Sequence, residues 1–437
     1  MIVRHSLAGM NKFGVTPAVR PITTIDGVRI ADLVAQYGSP LFVFSERNMR
    51  DRVRELRTAL SRRIANFDLA WSYKTNYLGA VCKVFHQEGS LAEVVSGMEL
   101  RMALEAGVAG RQILFNGPYK TADDLAMAFE RQVHVHLDHL DELALAEKVA
   151  ERLGVLPEVG MRVSMSELPI PVWDRFGFNL ESGRALEAAR RIVRGGRLDL
   201  RTLHCHIGTF ITDPEAYRLA ARSMAMLAVT LEREIGIRID TIDLGGGLAS
   251  HNTLHSQYLP GEESTPSLGE FVEAIAAGLE EGMQGAEPPR LVLETGRALI
   301  DDAGYLISTV AGNKRLMDKR RAVILDAGVN ILPTAFWYRH DIHPAQDVFG
   351  TAEPTVFVGP LCMNIDVVRD RVLFPPLRVG DRVVIRHVGA YNVTQWTQFI
   401  TLRPNVVMIS PKGEHAVIRK AETVEALRNH ESTPAWL

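Results

Sequence analysis

Lys74 sits in the stretch Trp71-Ser-Tyr-Lys-Thr-Asn76, directly after the apolar-alternating run Phe67-Asp-Leu-Ala70. A lysine ending a strand of that kind is unusual, because burying an ammonium costs free energy unless it is paired or reactive. Further along lie His204 and His206 in "LHCHIGT", a triple glycine at 245–247 in "DLGGG", and Glu294 and Arg297 in "ETGR". Three glycines after a strand let backbone N–H groups crowd an anion with no Cβ in the way. Gly296 and Arg297 add a turn and a cationic fork suited to phosphate, and Thr209 adds a hydroxyl. The plain alternative is that these glycines mark tight turns. A primary amine in a desolvated mouth forms Schiff bases, and such a lysine beside a phosphate site points to pyridoxal 5'-phosphate. Glu294 then has a use: a carboxylate beside the pyridine nitrogen keeps that nitrogen protonated, and the protonated ring is the better electron sink. Its rival role is an ion pair with Arg297. His204 and His206, two apart, share one strand face. One is expected to stack on the cofactor ring and the other to be a packed, hydrogen-bonded core histidine. Cys205 points the other way. Arg162 either pairs with a cofactor oxygen or with a barrel carboxylate.

Something must bring these residues to one place. From about residue 67 to 297, eight short apolar runs alternate with segments whose apolar residues recur every three or four positions. Ser267 to Glu270 reads as a capping box opening one such helix. Eight β–α units over this length predict an α/β fold of the (β/α)₈ barrel type, which carries its chemistry at the C-terminal ends of the strands. Lys74, Glu93, Asn116, Arg162, His204, His206, the triple glycine and Glu294 all fall there. A doubly wound sheet is the rival. After Arg297 the strand-like runs "YLISTVAG", "RAVILDAG", "PTVFVGP", "DRVVIRHVG", "TQFITL" and "NVVMI" follow without long helices, which predicts a second, all-β domain. The expected division is an N-terminal segment over 1–42 associated with the β domain, a barrel over 43–300 and a C-terminal β barrel or sandwich over 301–437. Residues 165–183 and 248–266 are long loops of the kind that serve as lids or substrate walls.

The bulk properties exclude several classes. A net charge of -3 recommends neither nucleic acid nor an anionic membrane as partner. No apolar run reaches bilayer-spanning length, and the first residues lack the apolar region of a signal peptide. Three cysteines, Cys82, Cys205 and Cys362, form neither a metal-type spacing nor an even disulfide framework. A cytoplasmic protein with free thiols and no bound metal is expected.

In combination, "YKTN", "EVVSGMEL", "LHCHIGT", "DLGGG", "ETGR", "LDAGVN", "GPLC" and "GAYN" give the chain a resemblance to the fold-type III, group IV pyridoxal-phosphate decarboxylases, which act on diaminopimelate, ornithine and arginine. It is most similar to the diaminopimelate branch, from Gly38 nearly to the end. The resemblance implies that Lys74 carries the cofactor, His206 stacks on it and Glu294 binds its pyridine nitrogen. It assigns the phosphate to Thr209, Gly246, Gly247, Gly296, Arg297 and Tyr391. It implies a homodimer with shared active sites, in which Cys362 reaches the partner's site and, with Lys74, returns a proton to Cα after CO₂ has left.

Two departures bear on the substrate. The diaminopimelate enzymes usually carry a glutamate directly after the cysteine, where this chain has Met363 in "CMNID". They usually carry an arginine in the segment after "DAG.N", where this chain has "NILPTAFWYRH" with Thr334. Both missing groups hold the distant charged end of diaminopimelate, and losing each charge-assisted contact costs about 1.5–3 kcal/mol. The expectation is a retained decarboxylation on a different amino acid, free or carrier-linked, from a siderophore, polyamine or antibiotic pathway; meso-diaminopimelate itself is the alternative. Arg339, His340 and His343 either replace the lost contacts or are surface residues, and Asp366 is expected near a substrate amine. Two rival functions are a racemase of the same barrel type, which typically pairs the pyridine nitrogen with arginine, and a non-catalytic cofactor-binding protein, which tends to lose Lys74 or Cys362.

Overall fold

The computed structural model describes residues 19–437 and divides into two compact units. The first 18 residues, part of the expected N-terminal segment, lie outside the described residues.

The barrel unit comprises residues 49–250 and 263–299. Its strands are β1 Phe67–Ser72, β2 Leu91–Val94, β3 Ile113–Phe115, β4 His134–Leu137, β5 Glu158–Ser164, β6 Asp199–Cys205, β7 Thr241–Asp243 and β8 Arg290–Leu293. All pair in parallel with their neighbours, and β8 pairs with β1, so the sheet closes. This is the eight-stranded barrel that the alternating pattern predicts, and the open-sheet rival falls with the closing pair. Helices follow the strands, and the capping box at Ser267 and Glu270 opens Leu268–Met283. The outward strand face packs on these helices: Trp71 stacks on Phe85 with ring centroids 3.6 Å apart.

The inward face changes character along the strand axis. Ala70, Leu114 and Val292, with Leu91, form an apolar layer inside the barrel. Two residues further along the same strands stand Ser72, Glu93, Asn116 and Glu294, because side chains alternate with a period of two. The barrel is therefore apolar below and polar at the C-terminal ends. That placement is what lets one fold bury a charged constellation without losing its core.

The β unit comprises residues 19–48, 251–262 and 300–437. Its main sheet runs in the order Val367–Phe374, Glu353–Val358, Arg321–Leu325, Gly304–Arg315, Leu41–Ser45, Asn405–Ile409, His415–Arg419, and Arg382–Arg386 also pairs with Gly304–Arg315. Leu41, Val43, Ile307, Val384, Val407 and Ile409 form its buried core. Ile342–Pro344 and His415–Arg419 are strands that the expected runs do not include, and two further details differ from the sequence expectation. "TQFITL" is not a strand: it holds only an isolated Phe399–Thr401 bridge, with Ile400 at a positive φ of 63°. Val367–Phe374 is a strand, although "VVRDRVLF" is too charged to read as one; pairing with Glu353–Val358 overrides its weak pattern. Among the described residues no helix is long and apolar enough to cross a membrane.

Candidate active site

β1 ends at Ser72, and the chain turns so that Lys74 follows at the barrel mouth with its side chain about one-third exposed. Its Nζ donates to Glu93 Oε1 at 2.8 Å and Oε2 at 2.6 Å. Glu93, at the end of β2, is fully buried and also accepts from Ser72 and from Asn116 Nδ2. A buried carboxylate is tolerated when its lone pairs are all met in this way. Ser96, three residues beyond Glu93, caps the helix Gly97–Glu105.

Asn116 links two carboxylates. Its Nδ2 donates to Glu294 as well as to Glu93, and its Oδ1 faces His136 Nδ1 at 2.6 Å. Glu294 is buried, and His204 Nε2 lies 3.5 Å from its Oε2. The rings of His136 and His204 stack, with centroids 4.9 Å apart. Asp243, at the end of β7, completes the group: ligand-type atoms of His136, His204, Asp243 and Glu294 all lie within 4.8 Å of one another. Burial holds His136 and His204 well below the usual imidazole range, so both are neutral. Burial and the neighbouring Glu294 push Asp243 well above the carboxylate range. Asp243 is thus a neutral acid, and His136 Nε2, both His204 nitrogens and Asp243 Oδ2 have no hydrogen-bond partner among the described residues.

The glycine turn builds the next part. Gly245 and Gly247 take positive φ values of 65° and 101°. A Cβ on Gly246 would meet the Glu294 carbonyl oxygen at 2.4 Å, and one on Gly247 would meet that of Gly208 at the same distance. The glycines are therefore required first for close packing of the strand ends. The Glu294 N–H donates to the Gly245 carbonyl at 2.8 Å, so this turn sets the carboxylate's position. The Gly246 N–H donates to His206 Nδ1 at 3.0 Å, and its carbonyl accepts from Tyr217. His206 is consequently fixed as an acceptor at Nδ1. Burial, then the positive charge of Lys74, holds it well below the imidazole range, and it is neutral. Trp173 stands edge-on to it with centroids 5.6 Å apart. Arg297 Nη2 donates to Thr209 Oγ1 at 3.2 Å.

The structure thus gathers Lys74, Glu93, Asn116, His204, His206 and Glu294 on one barrel, and Thr209 with Arg297. His204 does not become the hydrogen-bonded core histidine expected of it; it is packed without a close partner. Arg162 takes the barrel carboxylate, with Nη1 3.9 Å from Asp138 Oδ1 and its guanidinium over the Phe176 ring. His136, Asp243 and Tyr217 escaped the sequence reading. The strands that carry the first two are only four and three residues long, too short for an alternation to mark them.

The remaining expected residues belong to the β unit. Thr334 is buried; its Oγ1 donates to Asn392 Oδ1 at 2.8 Å and lies 2.8 Å from His340 Nε2. His340 is a buried histidine pushed down to about 3 by burial, not a surface residue. Asp366 accepts from the Val329 and Leu361 N–H groups at 2.8 Å each, joining two turns. Cys362 is exposed and Met363 is 37% exposed. Tyr391 precedes the short helix Asn392–Gln395 at a φ of 61°.

Residues 46–301 match the family model of the pyridoxal-binding domain of pyridoxal-dependent decarboxylases. The chain is 30% identical to the diaminopimelate decarboxylase of Methanocaldococcus jannaschii, over 94% of this chain and 95% of that one. It is 32% identical to the diaminopimelate decarboxylase of Actinosynnema pretiosum, over 92% and 91%. The M. jannaschii enzyme solved with L-lysine superposes with a TM-score of 0.87 at 29% identity, over 95% and 96% of the two chains.

Proposed function

The chain belongs to the pyridoxal-dependent decarboxylases, and from that premise we propose that it removes the α-carboxylate of an amino acid whose distal end differs from that of meso-diaminopimelate. The observation that carries the site assignment is Lys74, clamped by buried Glu93 at the mouth of a barrel whose centre holds Glu294. Racemase and non-catalytic readings lack support, since the relatives are decarboxylases by name.

The residues present suit pyridoxal 5'-phosphate: an amine at the mouth, the buried carboxylate of Glu294, partnerless buried polar atoms clustered with that carboxylate, and a guanidinium beside a hydroxyl. When bound, the cofactor supplies a carbonyl carbon that captures the substrate amine and a ring that takes up the electron pair left by CO₂. Lys74 would hold the cofactor through its amine. Glu93 orients Nζ and balances its charge. Glu294, fixed by Asn116, would accept from the protonated pyridine nitrogen. His206, neutral and oriented by the Gly246 N–H, would lie against the ring. Arg297, Thr209, Gly247, Gly296 and Tyr391 would hold the phosphate, with Gly246 shared between that task and His206. Lys74, or Cys362 from a second copy in a two-fold dimer, returns the proton to Cα.

Met363 and Thr334 support a changed substrate. Neither carries the charge that holds the distant end of diaminopimelate in the family pattern, and Thr334 is already committed to Asn392. Asp366, with both oxygens engaged by backbone N–H groups, shapes that wall rather than binding an amine. A second reading, decarboxylation of meso-diaminopimelate itself, is favoured by the names of relatives spanning over nine-tenths of the chain. Release of CO₂ from a panel of free and carrier-linked amino acids, with cofactor absorbance, distinguishes them. The first reading expects another amino acid to exceed meso-diaminopimelate in kcat/KM by about tenfold or more. The reverse order installs the second, and CO₂ release by Lys74→Ala overturns the mechanism.

A further inference from the structure

The β unit contains a cleft of about 300 Å³ whose lining includes His251, Glu262, Arg339, Asp341, Arg369 and Arg386. Its charges do not balance locally. Arg386 Nη1 lies 3.4 Å from both Glu262 Oε1 and Asp341 Oδ2. Asp341 also faces His343 Nε2 at 2.8 Å. The two acids are therefore already taken. His251 is engaged as well, with its Nδ1 2.6 Å from Asp302 Oδ2.

Arg339 and Arg369 are left. Arg339 donates to the Gln257 carbonyl, and no carboxylate lies within ion-pair distance of it among the described residues; its buried Nε has no partner. The Arg369 side chain makes no hydrogen bond and no ion pair with any described residue, and its Nη1 is shielded from solvent. Burial, and next the positive charge of Arg339, pulls Arg369 down to about 10. A largely desolvated guanidinium with no ion-pair partner, within the field of a second one, is an unfavourable arrangement that the more distant Asp341 and Asp370 only partly offset. The planar forks of arginine match the paired oxygens of carboxylate and phosphate.

We propose that Arg339 and Arg369 form a binding site for a small dianionic oxyanion, a phosphate or dicarboxylate group, in this cleft of the β unit. The site uses none of the residues assigned to decarboxylation and stands independently of the substrate reading. Arg386 and the two acids form its wall, and the acids confine binding to ligands that reach the Arg339–Arg369 side.

The test is calorimetric titration of the holoenzyme with inorganic phosphate and, separately, with succinate, at constant ionic strength held with chloride. Saturable binding of at least one is expected, weakened about tenfold or more in Arg369→Gln and in Arg339→Gln. Arg378→Gln, which removes an exposed cation of the same unit, should bind as the wild type does. Preference for phosphate identifies a phosphoryl ligand, and preference for succinate a carboxylate one. Absence of saturation with both anions in the wild type overturns the proposal, and that readout needs no variant to fold. Saturation unaffected in folded Arg369→Gln and Arg339→Gln, checked by circular dichroism, overturns it equally.

Discussion

Lys74 Nζ lies within hydrogen-bond distance of both carboxylate oxygens of Glu93, a residue with no exposed surface. The lysine is thus a half-open amine on a closed counter-charge. Removing the negative charge removes what favours the protonated nitrogen. Glu93→Gln is therefore expected to shift the pH titration of the cofactor's visible absorbance toward lower pH by roughly one unit or more. The spectrum should retain its Lys74-dependent band. An unshifted titration would show that Glu93 acts only in packing.

Glu294 and Asp243 are buried neighbours of the same type. Asp243 is held neutral by burial and by Glu294, while Asn116 and His204 surround Glu294 with polar groups. An amide is a close mimic of a protonated carboxyl and a poor one of a carboxylate. Asp243→Asn keeps the acceptor for the Gly245 N–H, which now donates to Oδ1 at 2.8 Å. It should leave kcat within about threefold of wild type, an effect below about 1 kcal/mol. Glu294→Gln should lower kcat by about 10²–10⁴-fold, the range for a positioned proton-holding group. Comparable losses in both variants would refute the assignment of the proton to Asp243.

How much of this was readable beforehand depends on what period and spacing encode. Lys74, His206 and Glu294 stand at strand ends marked by turn residues, so the sequence pattern locates them and the barrel together. His136 and Asp243 sit inside strands only four and three residues long, where no periodicity can be measured. The clamp of Glu93 by Ser72, Lys74 and Asn116 arises from three separate strands and leaves no local signal. "TQFITL" carries a strand's residue types, yet no neighbouring strand pairs with it. Propensity alone could not tell it from the charged but paired Val367–Phe374.

Glu99 lies behind Glu93, nearly fully buried, with its Oε2 accepting the Val95 N–H. Burial first, and Glu93 among the lesser causes, raises it from 4.5 to about 7. A carboxyl whose folded pKa exceeds its unfolded one favours the native state while protonated. That stability is complete below the unfolded value and is lost as pH rises to the folded one. The loss is on the order of 3 kcal/mol between the two values. The wild-type urea midpoint should therefore fall, relative to Glu99→Gln, between pH 5 and pH 8. Parallel midpoints across that range would contradict a raised Glu99.

Met363 is the more open of the two positions where the family's charges are missing. It is partly exposed, whereas Thr334 is buried against Asn392 and His340. A glutamate can therefore be placed at 363 without disturbing a core, while an arginine at 334 would displace two hydrogen bonds. Met363→Glu restores one anionic contact to the distant ammonium of meso-diaminopimelate. A charge-assisted hydrogen bond of about 1.5–3 kcal/mol corresponds to a gain of roughly 10- to 150-fold in kcat/KM for that substrate. The gain should appear mainly in KM, since the contact is made equally in the bound and reacting states. The thermal midpoint should be unchanged. If the wild type already processes meso-diaminopimelate well and the substitution adds nothing, residue 363 does not set the substrate. The distant end must then be recognised by groups outside the family's usual pair.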